Sequence, residues 1–132
     1  MLNLLRVSGF ALIDEVEVSL GPGLTVITGE TGAGKSILVE ALGLLRGGRA
    51  NTEMIRVGCD EAKVEAVLDI PEGWEVRERL LADGRSVEEG LVVRRSLARS
   101  GRGRIHLGGG LASATDLANS VGKLVDITSQ HD

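Results

Sequence analysis

Leu24-Thr25-Val26-Ile27-Thr28-Gly29-Glu30-Thr31-Gly32-Ala33-Gly34-Lys35-Ser36-Ile37-Leu38 is the stretch that decides the fold. The run from Leu24 to Thr28 is short and rich in β-branched residues, as a buried strand requires. From Gly29 to Ser36 the residues fit G-x-x-x-x-G-K-[ST]. Beyond them Ile37, Leu38, Ala41, Leu42 and Leu45 recur at helical spacing with Glu40 opposite, and Gly47-Gly48 ends the period. A strand, a glycine-rich loop and a helix in that order are the context that gives the pattern its meaning. The glycines let consecutive backbone N–H groups turn inward as an anion nest at a helix N-terminus. In such a loop Gly29, Glu30, Thr31, Gly32, Ala33 and Gly34 supply the cradle, Lys35 reaches the β- and γ-phosphates, and the Ser36 hydroxyl is a ligand for Mg²⁺. The expected cofactors are ATP and Mg²⁺.

Strand and turn signals flank this centre. Leu2, Leu4 and Val7 make one apolar face, and Ile13, Val16, Val18 and Leu20 follow after a loop expected at Ser8-Gly9. Gly21-Pro22-Gly23 is a turn. From Ala62 to Ile70 apolar and polar residues alternate, predicting a half-exposed strand ended by Pro71. A helix is predicted over 74–82 with Val76, Leu80 and Leu81 inward. Leu91-Val92-Val93 and Arg104-Ile105-His106-Leu107 read as a hairpin turning at 100–103, and Gly108-Gly109-Gly110 as a second turn. Thr115 is expected to cap a helix that stops at Gly122, with a last strand over 123–127.

Length and composition bound the rest. The 132 residues suffice for one domain with a core, and the 42% hydrophobic and 26% charged content is that of an ordinary globular protein. No run approaches the roughly 20 apolar residues of a membrane span, and nothing reads as a signal peptide. A single cysteine, Cys59, excludes an internal disulfide and fits a reducing cytoplasm; it reads as a small packing residue. The net charge of −4 is uneven: ten acids face four bases over 60–89, whereas 90–115 holds five arginines (Arg94, Arg95, Arg99, Arg102, Arg104) and no acid. With only Phe10 and Trp74 as aromatics, stacking on unpaired bases is disfavoured, so any DNA contact is expected at backbone phosphates. No downstream apolar run ends in a carboxylate of the character needed to hold the metal; Asp69 and Asp126 read as strand residues. Hydrolysis is therefore expected to need groups from outside the chain.

The ordered combination resembles the N-terminal half of an ABC-type ATPase head of the SMC-like group, and within it the RecN-like family. Two strands precede the glycine loop, the loop reads G-E-T-G-A-G-K-S, and Gly47-Gly48-Arg49-Ala50, Ile55-Arg56, the strand from Lys63 to Ile70, Arg94-Arg95 and Ser129-Gln130-His131 follow in family order. Departures are Ser129 in place of a usual glycine and Gly108-Gly109 in place of a usual Asn-Gly turn. The resemblance implies an α/β P-loop NTPase of ABC-head type: an antiparallel β subdomain plus the P-loop strand and helix. Residues 1–132 would be one segment of that head, ending just after the Q-loop. It implies that Gln130 helps ligate Mg²⁺ and senses the γ-phosphate, acting with Lys35 in catalysis, and that Arg56 lies near nucleotide or DNA. Implied partners are the C-terminal half of the same head, a second head in a homodimer, and double-stranded DNA or its ends, in a nucleoid-associated setting without a membrane. Implied activity is ATP-driven head engagement, reversed by hydrolysis, in double-strand-break repair. Two other readings stay open on the residues: a transport-type ABC nucleotide-binding domain, and an ATP-switched DNA-tethering clamp with little turnover.

Overall fold

A computed structural model describes residues 2–19 and 32–125, with the side chains of 32–36 left aside. The described chain is built on a six-stranded antiparallel sheet in the order β2-β1-β3-β4-β5-β6. These strands are β1 (Leu2–Phe10), β2 (Ile13–Ser19), β3 (Glu61–Leu68), β4 (Leu91–Ala98), β5 (Gly103–Leu107) and β6 (Gly110–Leu111). Helix α1 (Gly32–Leu45) packs across β1, β3 and β4. A 3-10 turn at Thr52–Met54 follows, then α2 (Glu75–Ala82), α3 (Ala114–Asn119) and α4 (Val121–Leu124).

Period-two patterning sets the faces of the sheet. Leu5 and Val7 of β1, Ala62, Val64, Ala66 and Leu68 of β3, and Leu91, Val93 and Leu97 of β4 are buried. They meet Leu38, Ala41, Leu44 and Leu45 of α1 in one core, and Phe10 and Leu45 are fully buried. Each such large apolar side chain contributes about 1.5–3 kcal/mol on burial. The other face carries a row of opposite charges in register: Glu17, Arg6, Glu65 and Arg94 lie side by side on β2, β1, β3 and β4. Arg6 pairs with Glu17 at 3.0 Å and Glu65 at 3.3 Å, and Arg94 reaches Glu65 at 3.4 Å. The hydrogen bond to Glu17 and its charge raise the Arg6 pKa.

Several local expectations change. The chain does not turn at Ser8-Gly9. β1 continues to Phe10, and the reversal falls at Ala11, whose φ is 52°. Gly9 is instead a left-handed residue (φ 62°) inside the strand, where any Cβ would run into the Glu61 carbonyl. In α2 Leu80 is buried but Leu81 is exposed, because one turn of contact with the body admits Leu80 and not its successor. The helix expected to be capped by Thr115 is instead capped two residues earlier, by a capping box at Ser113. Ser113 Oγ accepts from the Asp116 amide at 3.1 Å, while the Ser113 amide donates to Asp116 Oδ2 at 2.9 Å. Gly122 does not end the helical segment, since α4 includes Gly122, Lys123 and Leu124 where a strand was expected. The turn at 21–23, the strand at 24–28 and residues 126–132 lie outside the described residues.

Candidate nucleotide-binding site

The second half of the glycine motif opens α1. Gly32, Ala33, Gly34, Lys35 and Ser36 form its first turns, so their backbone N–H groups include the unpaired donors of a helix N-terminus. The first turn of α1 contains no acidic residue. No carboxylate from the helix itself therefore answers the positive end of its dipole, which leaves that end suited to an external anion. The neighbouring Gly29, Glu30 and Thr31, and likewise Gln130, lie outside the described residues. Arg56 is half-buried beside the 3-10 turn, its amide donating to Gly9 O at 2.8 Å and its carbonyl accepting from Arg99 Nη2 at 2.9 Å. Its guanidinium has no hydrogen bond to the described residues.

The far end of α1 is held by two arginines that sequence reasoning did not single out for this role. Arg46 Nε donates to Val125 O at 2.6 Å, and Nη2 to Gly122 O at 3.0 Å. The helix that begins in the glycine motif is thereby tied at its C-terminal end to the last described residues before the segment containing Gln130. Arg95 Nη1 donates to Leu44 O and to Gly48 O, both at 2.7 Å, giving Leu44 O a second donor beside the Gly47 amide and Gly48 O a charged one. Burial lowers the Arg95 pKa without bringing its proton within physiological reach. The signal for Arg95 was in the strand parity: Val93, Arg95 and Leu97 share the core-facing side of β4.

The other hairpin arginines divide by partner. Arg99 donates to Cys59 O at 2.6 Å and to Arg56 O, and Arg94 is paired with Glu65. Arg102 and Arg104 are exposed, without a side-chain partner among the described residues. His106 sits opposite Arg94 on β5. Among the described residues no group of His, Cys, Asp or Glu could hold a metal ion, and no helix is long and apolar enough to cross a membrane.

A family profile described as an AAA domain matches residues 4–105. The chain belongs to the AAA domain family. Within it the sequence is RecN-like along its whole length. It is 40% identical to the DNA repair protein RecN of Bacillus subtilis over 100% of this chain and 23% of that protein. It is 39% identical to RecN of Streptomyces coelicolor over 97% of this chain and 23% of that one. The chain thus spans 23% of the length of these relatives. A structure solved in a study of ATP-driven dimerization and DNA-stimulated activation of SMC ATPases superposes with a TM-score of 0.69 at 21% identity, covering 92% of this chain and 77% of that one. That likeness establishes the fold alone, an antiparallel sheet with α1 packed across it, as shared with that SMC ATPase structure.

Proposed function

We propose that this chain is the nucleotide-binding segment of a RecN-like DNA double-strand-break repair ATPase. The observation that carries the reading is the start of α1 inside the glycine motif, with no acid in its first turn. The amides around Gly29, Gly32 and Gly34 would hold the phosphates and Lys35 the β- and γ-oxygens. Ser36 and Gln130 would ligate Mg²⁺, and Arg56 would lie near nucleotide or DNA. ATP with Mg²⁺ supplies the γ-phosphate whose presence or loss biases two states of the head. Lys35 acts by charge and position, not by proton transfer, because phosphoryl transfer relies on electrostatic stabilisation of the transferring group.

In this reading the carboxylates that hold the metal and orient water come from sequence outside residues 1–132, as the 23% coverage of the relatives allows. The C-terminal half of the same head and a second head are then partners by necessity, because the site is incomplete without them. The RecN-like sequence favours this over a transport-type domain. The test is ATP turnover by the intact protein, wild type and Lys35→Ala, with and without duplex DNA. Turnover lost in a folded variant supports the reading, and equal turnover overturns it. Duplex association that a non-hydrolysable analogue alone sustains, with negligible turnover, would select the tethering-clamp reading instead.

A further inference from the structure

The loop leaving α1 and the β4–β5 hairpin enclose a cleft of about 550 Å³. Arg49, Arg95 and Arg104 line it together with Gly47, Gly48 and Gly101, and among the described residues that line it there is neither a carboxylate nor an aromatic ring. This is unusual in a chain whose formal charge is −4. Arg95 is the informative member. One of its nitrogens is engaged by the carbonyls of Leu44 and Gly48, while Nε and Nη2 have no hydrogen bond among the described residues. A half-buried guanidinium without a carboxylate partner is costly, and an anion drawn to it recovers part of that cost. Arg49 and Arg104 add two exposed charges at the same cleft, also without ion-pair partners among the described residues. Arg104 stands opposite Ser96, on the same sheet face as Arg6 and Arg94, but those two are spent differently, since they are matched by Glu17 and Glu65.

We propose that this cleft docks a phosphate of a duplex nucleic-acid backbone, with Arg49, Arg95 and Arg104 donating to its oxygens. The guanidinium fork is suited to a tetrahedral oxyanion, and the glycines along the wall let a backbone phosphate approach without meeting side chains. The absence of rings at the cleft argues for paired strands, whose bases need no stacking platform. The proposal rests on the DNA-handling reading above and gives that contact a place on the surface, at the C-terminal end of α1 and therefore at the opposite end of the helix from the glycine motif.

The test measures anisotropy of a labelled duplex against salt for the intact protein, comparing wild type, the double variant Arg49→Ala/Arg104→Ala and the control Arg6→Ala, with ATP affinity measured alongside. Two lost phosphate contacts lower the slope of log K against log salt by about 1.8 and weaken binding by up to roughly sixty-fold at 0.1 M salt. ATP affinity stays unchanged, and Arg6→Ala binds as wild type does. A double variant with wild-type slope and affinity overturns the cleft while leaving the ATPase reading intact, as does a variant that loses ATP and duplex together. Inorganic phosphate that protects the cleft from an arginine-modifying reagent at concentrations where duplex does not would mark a small-anion site and overturn the assignment to nucleic acid. A wild-type protein that binds no duplex under any salt condition defeats the DNA-handling reading itself.

Discussion

Replacing Arg95 by Met keeps most of the buried stem and removes the guanidinium that closes the end of α1. Two hydrogen bonds of 2.7 Å are lost, to the carbonyls of Leu44 and Gly48. A hydrogen bond from a charged donor is worth about 1.5–3 kcal/mol. The Gly48 carbonyl belongs to an exposed residue and can turn to water, whereas Leu44 is 3% exposed and its carbonyl keeps only the Gly47 amide in place of the charged donor. Discounting the first bond heavily leaves a local cost of about 2 kcal/mol. That cost should fall on the last turn of α1, whose amides at Arg46, Gly47 and Gly48 donate to Leu42, Leu44 and Gly43. Native-state hydrogen exchange on peptides covering 42–48 reads it directly: 2 kcal/mol corresponds to exchange roughly thirty-fold faster. Arg95→Lys, a point donor in place of a fork, should recover part of the protection. Arg102→Met, an exposed change on the same hairpin, should leave these amides as they were. If Arg95→Met exchanges like wild type, the helix end is held by packing alone and the reasoning fails.

Arg46→Ala releases the carbonyls of Val125 and Gly122, so exchange over 121–125 should rise by about an order of magnitude, with Arg46→Lys intermediate. Because Gln130 follows Val125 by five residues, the same variant is expected to slow Mg²⁺-dependent turnover while ATP binding survives; turnover at the wild-type rate would break that link. Ser113→Ala removes the α3 cap and should cost about 1 kcal/mol, read from exchange at the Asp116 and Leu117 amides. The Asp116 carboxyl is held below its usual pKa by the Ser113 backbone amide first, then by the Ser113 hydroxyl and Arg85. Its folded pKa is thus depressed, so its contribution is complete above the unfolded value of about 4 and is lost as pH falls through the folded one. The difference between wild type and Asp116→Asn should accordingly shrink on acidification below about pH 4, and a difference independent of pH would contradict the cap.

What could be read from sequence depended on how much of the signal was local. Alternation placed β3 because Val64, Ala66 and Leu68 had to share the buried face, and the helical period placed α1 for the same reason. The box Ser113-x-x-Asp116 was also readable, since Thr115 has Ala118 three residues on and cannot form one. Gly9 misled because a glycine in a strand marks a close approach as readily as a turn, and only the Glu61 carbonyl across the sheet distinguishes the two. α4 runs past Gly122 where Arg46, far away in sequence, donates from its guanidinium to the carbonyls of Gly122 and Val125. The hairpin arginines looked alike as a run of charge; the fold spends Arg94, Arg95 and Arg99 on structure and leaves Arg102 and Arg104 on the surface. At the site, the helix that follows the glycine motif was legible because its apolar period is local, and α1 opens at Gly32 within the motif.

Lys35 is proposed to contact nucleotide phosphates, and equilibrium binding of a non-hydrolysable ATP analogue to the intact protein tests this most directly. Loss of one charge-assisted contact of about 1.5–3 kcal/mol predicts that Lys35→Ala weakens binding by roughly 10- to 150-fold, with exchange protection across β1, β3 and β4 unchanged. Wild-type affinity in that variant, with the fold intact, would contradict the claim.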